Sequence, residues 1–177
     1  MDFKNTRKAL KTFAESVVRE SKNIARKKFE KTTGNLEGSI GYVLNVYENS
    51  FNLEFTLAAD KDGVPYGSFV DLGVRGSKSN YLANANSPYK FSGNKKSIPP
   101  NVLDKWIVRK KIAPRDKQGR FLTRKSIKFL IARSIYEKGI EARKYFTKPF
   151  EDNFKKLPDD VVDAFGLDID DFFELTT

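Results

Sequence analysis

Asp60, Asp62 and Asp71 are the carboxylates whose spacing first suggests chemistry, because acidic side chains gathered by a turn can surround a divalent cation. They lie in and beside the stretch VPYGSFVDLGVRGSKSNY, Val64 to Tyr81. The spacing is not that of an EF-hand loop and no bidentate Glu closes it, so Asp71 is more simply a polar residue near a helix end. Gly73-Val74-Arg75-Gly76 lacks the Gly-Lys-Ser/Thr ending of a phosphate loop, and no strand runs directly into it; a turn is the simpler assignment. The 177-residue chain contains no Cys and no His. Disulfides, thiol chemistry, Cys/His zinc sites and imidazole- or thiolate-dependent acyl transfer are thereby excluded. Only carboxylate, lysine or tyrosine chemistry remains, so the expectation is a protein that is not an enzyme and that carries no catalytic residue, metal or cofactor.

A second constellation is basic and aromatic. Arg75, Lys78, Tyr81, Tyr89, Lys90, Phe91, Lys95 and Lys96 combine charge for phosphates with rings for bases. The same residue types anchor protein interfaces, and no recognisable nucleic-acid-binding module surrounds them, so protein contact is the preferred reading. The formal charge of +10 is unevenly spread: the last twenty residues hold seven Asp and Glu and no Lys or Arg, whereas the first 157 carry +17. A basic body suits nucleic acid or another acidic partner, although many of its charges fall on the outer faces of helices.

These residues must be positioned by a modest set of elements. With 39% hydrophobic residues and fifteen Phe, the chain can fill one good core. Phe3, Leu10, Phe13, Val17, Ile24 and Phe29 recur near helical intervals and predict one long amphipathic helix from Phe3 to Lys31, ended by Thr32 to Asn35. Alternation over Ile40–Val46 and Phe51–Leu57 predicts a hairpin with one buried face. Asp60 to Gly63 form a turn, Pro65 opens a short helix carrying Tyr66, Phe69 and Val70, and Gly73 stops it. Val74 to Ser97 follows as a long polar loop whose composition predicts poor order in an isolated subunit. Pro99 and Pro100 start a helix with Val102, Leu103, Trp106 and Ile107 on its apolar side, placing Trp106 in the core or at a subunit interface. A polar turn spans Ala113–Phe121. Thr123 caps a helix with Ile127, Leu130, Ile131, Ser134 and Ile135, which ends at Gly139 before Ile140 folds back. Tyr145 and Phe146 are extended, and a last helix carries Phe150, Phe154 and Leu157. The fold class expected is α+β: a long N-terminal helix and an antiparallel hairpin packed with several short helices, over residues 1–157, with an acidic tail at 158–177. The N-terminus MDFKNTRKALKTF has no apolar run like a signal peptide and no segment reaches transmembrane length, so a soluble protein without membrane contact is expected.

Taken in order, these pieces resemble the tail-completion, or neck, proteins of tailed bacteriophages. The resemblance rests on Tyr66, Phe69, Val70, Asp71 and Gly73 after a helix and hairpin. It continues with Ile98-Pro99-Pro100 to Trp106-Ile107, with the helix Ile131 to Ile140, and with Lys148-Pro149-Phe150. Val74 stands where Thr is common in that family, and the loop after it is long. The resemblance implies a structural virion protein, made in the host cytoplasm, that forms a homo-oligomeric ring, hexameric by analogy, at the head–tail junction. Its partners would be further copies of itself, the portal or adaptor, and tail proteins. Tyr66, Phe69, Asp71, Gly73, Arg75, Lys78, Tyr81, Tyr89, Lys90 and Phe91 would then serve subunit or partner contacts, joined by Phe165, Phe172 and Phe173 of the acidic tail. Lys95, Lys96, Arg109, Lys110 and Lys111 would approach DNA in the channel. The tail, with its apolar anchors, is expected to dock on a basic surface of a neighbour; a helix folded back on its own subunit is the alternative, since Asp159 and Asp160 favour a helix N-terminus. A nucleic-acid-binding protein using the basic body and loop 74–97 is the alternative function, and an enzyme using the Asp cluster is third.

Overall fold

The computed structural model describes residues 3–29, 35–48, 50–59, 63, 66–92 and 99–174. In chain order the elements are α1 (Lys4–Lys28), α2 (Asn35–Gly38), β1 (Gly41–Val46), β2 (Phe51–Thr56), α3 (Tyr66–Leu72) and β3 (Val74–Arg75). A 3-10 turn (Pro100–Leu103), α4 (Asp104–Arg109), α5 (Arg124–Lys138), β4 (Gly139–Ile140), α6 (Thr147–Phe154) and α7 (Leu157–Glu174) complete it. The fold is α+β. Of the residues predicted to end the first helix, Thr32, Thr33 and Gly34 lie outside those described, as do Asp60–Asp62 and Pro65, whereas Asn35 begins α2.

Two compact units divide the chain: 1–71 with 143–177, and 72–142. In the first, α1 buries Phe13, Ala14, Val17 and Ala25 on one stripe, at the helical interval its sequence predicts. The hairpin pairs Tyr42 with Phe55, Leu44 with Leu53 and Val46 with Phe51, which sets the apolar residues of both strands on one face. Phe13, Phe55, Phe146 and Phe150 interlock edge to face; the closest pair is Phe55 and Phe146, with ring centroids 5.3 Å apart. A second cluster gathers Ala25, Ile40 and Tyr145 with Val70 and Phe146 around them.

The acidic segment is part of this unit, which corrects its assignment as a separate tail. It forms α7, whose Ala164 and Asp168 are buried, and Asp168 receives hydrogen bonds from the backbone amides of Asn5 (2.7 Å) and Thr6 (2.8 Å) and from the Thr6 hydroxyl (2.7 Å). These amides belong to the first turn of α1, where no intrahelical partner exists and negative charge is favoured. Phe3 stacks on Phe165 at 5.8 Å. The segment predicted as a docking tail thus folds on its own chain through a cap supplied by the Asp168 carboxylate.

In the second unit, Leu103, Ile107, Ile127 and Ala132 form the core, bordered by Ile112, Leu122, Ile131 and Ile135. Thr123 accepts a hydrogen bond from the Ser126 amide and caps α5; Gly139 ends it with φ at 95°. Residues 74–92, expected as a poorly ordered loop, are tied down by backbone hydrogen bonds. β3 pairs antiparallel with β4, and the Ser77 and Lys78 amides donate to the Tyr136 and Glu137 carbonyls at the end of α5. Backbone groups, which composition does not record, supply that order. Trp106, expected in a core or interface, is 36% exposed within the chain, and Val102 and Leu130 are exposed as well. The two residues that do fill the core from α4 and its leading turn are Leu103 and Ile107.

Candidate functional site

The Tyr66–Gly73 element closes the first unit onto itself. The last turn of α3 holds Asp71, whose buried carboxylate accepts from the Phe146 amide at 2.7 Å, from the Thr147 amide at 3.2 Å and from the Thr147 hydroxyl. It thereby caps the N-terminus of α6 from 75 residues away. The Asp71 and Val70 carbonyls accept from the Lys144 and Arg143 amides, so every side of this junction is hydrogen-bonded. Tyr145 is fully buried behind it and donates to the Gly67 carbonyl at 3.2 Å. Burial first, then the nearby Asp71 and Tyr66, raises the Tyr145 phenol well above its ordinary pKa. Asp71 thus serves the fold as a cap, and no group of three or more metal-ligating side chains occurs among the described residues; Asp60 and Asp62 lie outside them.

Gly73 turns with φ at 72°, and a Cβ there would stand 2.5 Å from the Ile140 carbonyl oxygen. Asp71 and Gly73 are both buried, which corrects their assignment to a partner interface: their work is internal. Tyr66 and Phe69 are half-buried. Arg75 donates its amide to Tyr89 and accepts from Phe91, so the backbones of Arg75, Tyr89 and Phe91 also serve the fold. The Phe91 ring packs on Tyr136 at 5.6 Å, and the Tyr136 hydroxyl donates to the Ser92 carbonyl. Lys78 is exposed but pairs with Glu137 at 2.9 Å, and hydrogen bonds from Lys78 and then Arg133 hold the Glu137 carboxyl below its ordinary range. Tyr81, 74% exposed, and Lys90 remain at the surface. Lys95 and Lys96 lie outside the described residues.

Arg109, Lys110 and Lys111 are exposed at the end of α4 and belong to a denser surface than the sequence motif suggested. Residues 105–125 carry nine Lys and Arg against one Asp. Asp116 accepts from the Gln118 and Arg120 amides and so shapes the turn between α4 and α5. The Arg115 guanidinium lies 3.9 Å from the centroid of Phe121, which is 63% exposed. Beside them, Ile107, Ile112, Ala113, Leu122 and Ile127 floor a groove of about 450 Å³, with Lys111 and Arg124 on its rim. Local positive charge was legible in the sequence; the apolar groove was not, because its floor comes from α4, α5 and the turn together.

Charge also follows the units. Residues 72–142 hold seventeen Lys and Arg against four Asp and Glu, +13, and the rest of the chain carries −3. On α7 the negative charge sits beside apolar surface: Val162, Phe165, Phe172 and Phe173 are exposed, and exposed Asp159, Asp163 and Asp170 form an adjacent stripe. No helix among the described residues is long and apolar enough to cross a membrane. Comparison with protein-family models, with curated proteins and with solved structures found no match.

Proposed function

We propose that this chain is a structural virion protein of the phage neck: a subunit of a ring that joins the head-side portal or adaptor to the tail, assembled from protein made in the host cytoplasm. The observation that carries this reading is the pairing of opposite charge with exposed apolar side chains on two faces, α7 in the acidic unit and the α4–α5 groove in the basic one. Exposed apolar patches of this kind mark interaction surfaces, and two different complementary surfaces on each copy, repeated around an axis, close a ring. The ordered series of elements from Tyr66 to Phe150 supports the same reading. Exposed Tyr81 and Lys90 are available to partners in it. Electron microscopy and native mass spectrometry of the purified full chain test it. A closed ring of one stoichiometry, six by analogy, is expected; open, variable filaments would count against it.

A second reading, nucleic-acid binding, is favoured by the nine basic residues of 105–125 and the exposed Phe121 ring. In the ring it becomes contact with DNA in the channel through Arg109 and Lys110. Binding to duplex DNA is expected to weaken steeply with salt, and Arg109→Ala with Lys110→Ala is expected to lower the slope of log affinity on log salt by about 2. A salt-independent affinity would remove this reading.

A further inference from the structure

We infer that the exposed face of α7 docks in the basic groove between α4 and α5 of a second copy of this chain, head to tail. The inference rests on the ring reading and names the contact that would close it. Val162, Phe165, Ile169 and Phe172 recur at intervals of three and four, so they form one stripe that borders the Ala164–Asp168 face meeting α1; Phe165 rests one side of its ring on Phe3 and stays 44% exposed. Val162 is 68% exposed and opens the stripe at its N-terminal end, near Asp159 and Asp163; Asp170 continues the acidic edge. Such a helix is an amphipathic ligand for a groove, read as anchors at i, i+3 and i+7.

The groove offers the matching chemistry. Its apolar floor of Ile107, Ile112, Leu122 and Ile127 suits side chains such as Val162 and Phe165, and Lys111 and Arg124 at its rim face the Asp stripe. Duplex DNA would satisfy the rim but keeps its base faces stacked inside the helix and offers the floor no protruding apolar side chain, so a protein helix is the better occupant. Neither Lys111 nor Arg124, nor Asp163 nor Asp170, takes part in an ion pair among the described residues, so none needs to abandon a partner on docking. The two surfaces are different, which makes the contact heterologous, the kind that propagates around a ring.

The test uses the full chain. Asp163→Lys with Asp170→Lys reverses the helix edge; Lys111→Glu with Arg124→Glu reverses the groove rim. Circular dichroism and melting temperature verify that each variant folds, and sedimentation velocity measures self-association across concentration. Each variant alone is expected to associate at least about tenfold more weakly than the wild type, because like charges then meet. Mixing the two restores association, since each supplies the surface the other lacks, and so does the fourfold variant. Val162→Asp weakens association without any partner that rescues it. Folded variants that associate like the wild type overturn this contact and leave the ring reading standing. Loss of association that mixing does not restore places the charges within one chain and overturns it too. A rim variant that loses only DNA binding assigns the groove to nucleic acid. A wild-type chain monomeric at every concentration overturns both the contact and self-assembly.

Discussion

At the scale of single residues, two carboxylates do the work of helix caps over long sequence distances. Asp71 serves two amides and a hydroxyl inside a buried junction, and its removal leaves those donors without an acceptor. Asp71→Ala is expected to cost about 2–3 kcal/mol in urea unfolding, with Asp71→Asn costing less because one oxygen acceptor survives. Asp168 offers a pH test. Burial pushes its carboxyl up, but hydrogen bonds from Thr6 and Asn5 outweigh burial and hold it below the ordinary value of 3.8. A depressed folded value means that the stabilisation is fully present above the unfolded pKa and is lost as pH falls through the folded one. The melting-temperature gap between wild type and Asp168→Asn is therefore expected to be constant near neutrality and to shrink below about pH 4. A gap independent of pH down to 2 would show that the charge of Asp168 is irrelevant.

At the scale of elements, α7 and the β3–β4 pair decide how each unit is closed. Truncation after Leu157 removes the cap on α1 and the ring that stacks on Phe3. The shortened chain is expected to lose at least about 2 kcal/mol of stability, more than Asp168→Asn alone, because a cap and an apolar face leave together. The β pair depends on bare backbone. Gly139 has φ at 95°, and a Cβ on it would collide with the Val74 carbonyl oxygen. Gly139→Ala is expected to destabilise the second unit by about 1–3 kcal/mol, from both the left-handed backbone and the collision. Hydrogen exchange checks this locally: protection at Ser77 and Lys78, whose amides bond the end of α5, should fall while that of α1 is unchanged.

At the scale of the whole molecule, the first unit is made from two separated stretches and the second is inserted between them. The ends of the insertion meet within the first unit, where the Val70 carbonyl accepts from Arg143 at 3.0 Å and that of Asp71 from Lys144 at 2.9 Å. Residues 72–142 are therefore expected to be replaceable by a short Gly-Ser linker with the remaining chain still unfolding cooperatively, as judged by circular dichroism in urea. A non-cooperative product would mean that the first unit cannot fold without the second. The excised chain, without the +13 segment, is also expected to lose any affinity for DNA.

Periodicity along the chain by itself determined α1, the hairpin and α5, and composition determined that no thiol or imidazole chemistry is available. Thr123 as a cap and Gly139 as a stop were legible because each acts on neighbours a few residues away. Only the tertiary structure decided that Asp71 caps α6, that Asp168 caps α1 from more than 160 residues away, and that the Ser77 and Lys78 amides are held by the carbonyls of α5. It also decided that Leu103 and Ile107 are core while Trp106, one position from Ile107, stands exposed. The physical reason is the same in each case. Helical and strand periods, turns and local caps are written in adjacent residues, whereas an unsatisfied amide donates to any carboxylate the fold brings within reach, and in a chain with 23 Asp and Glu only the packing selects which one.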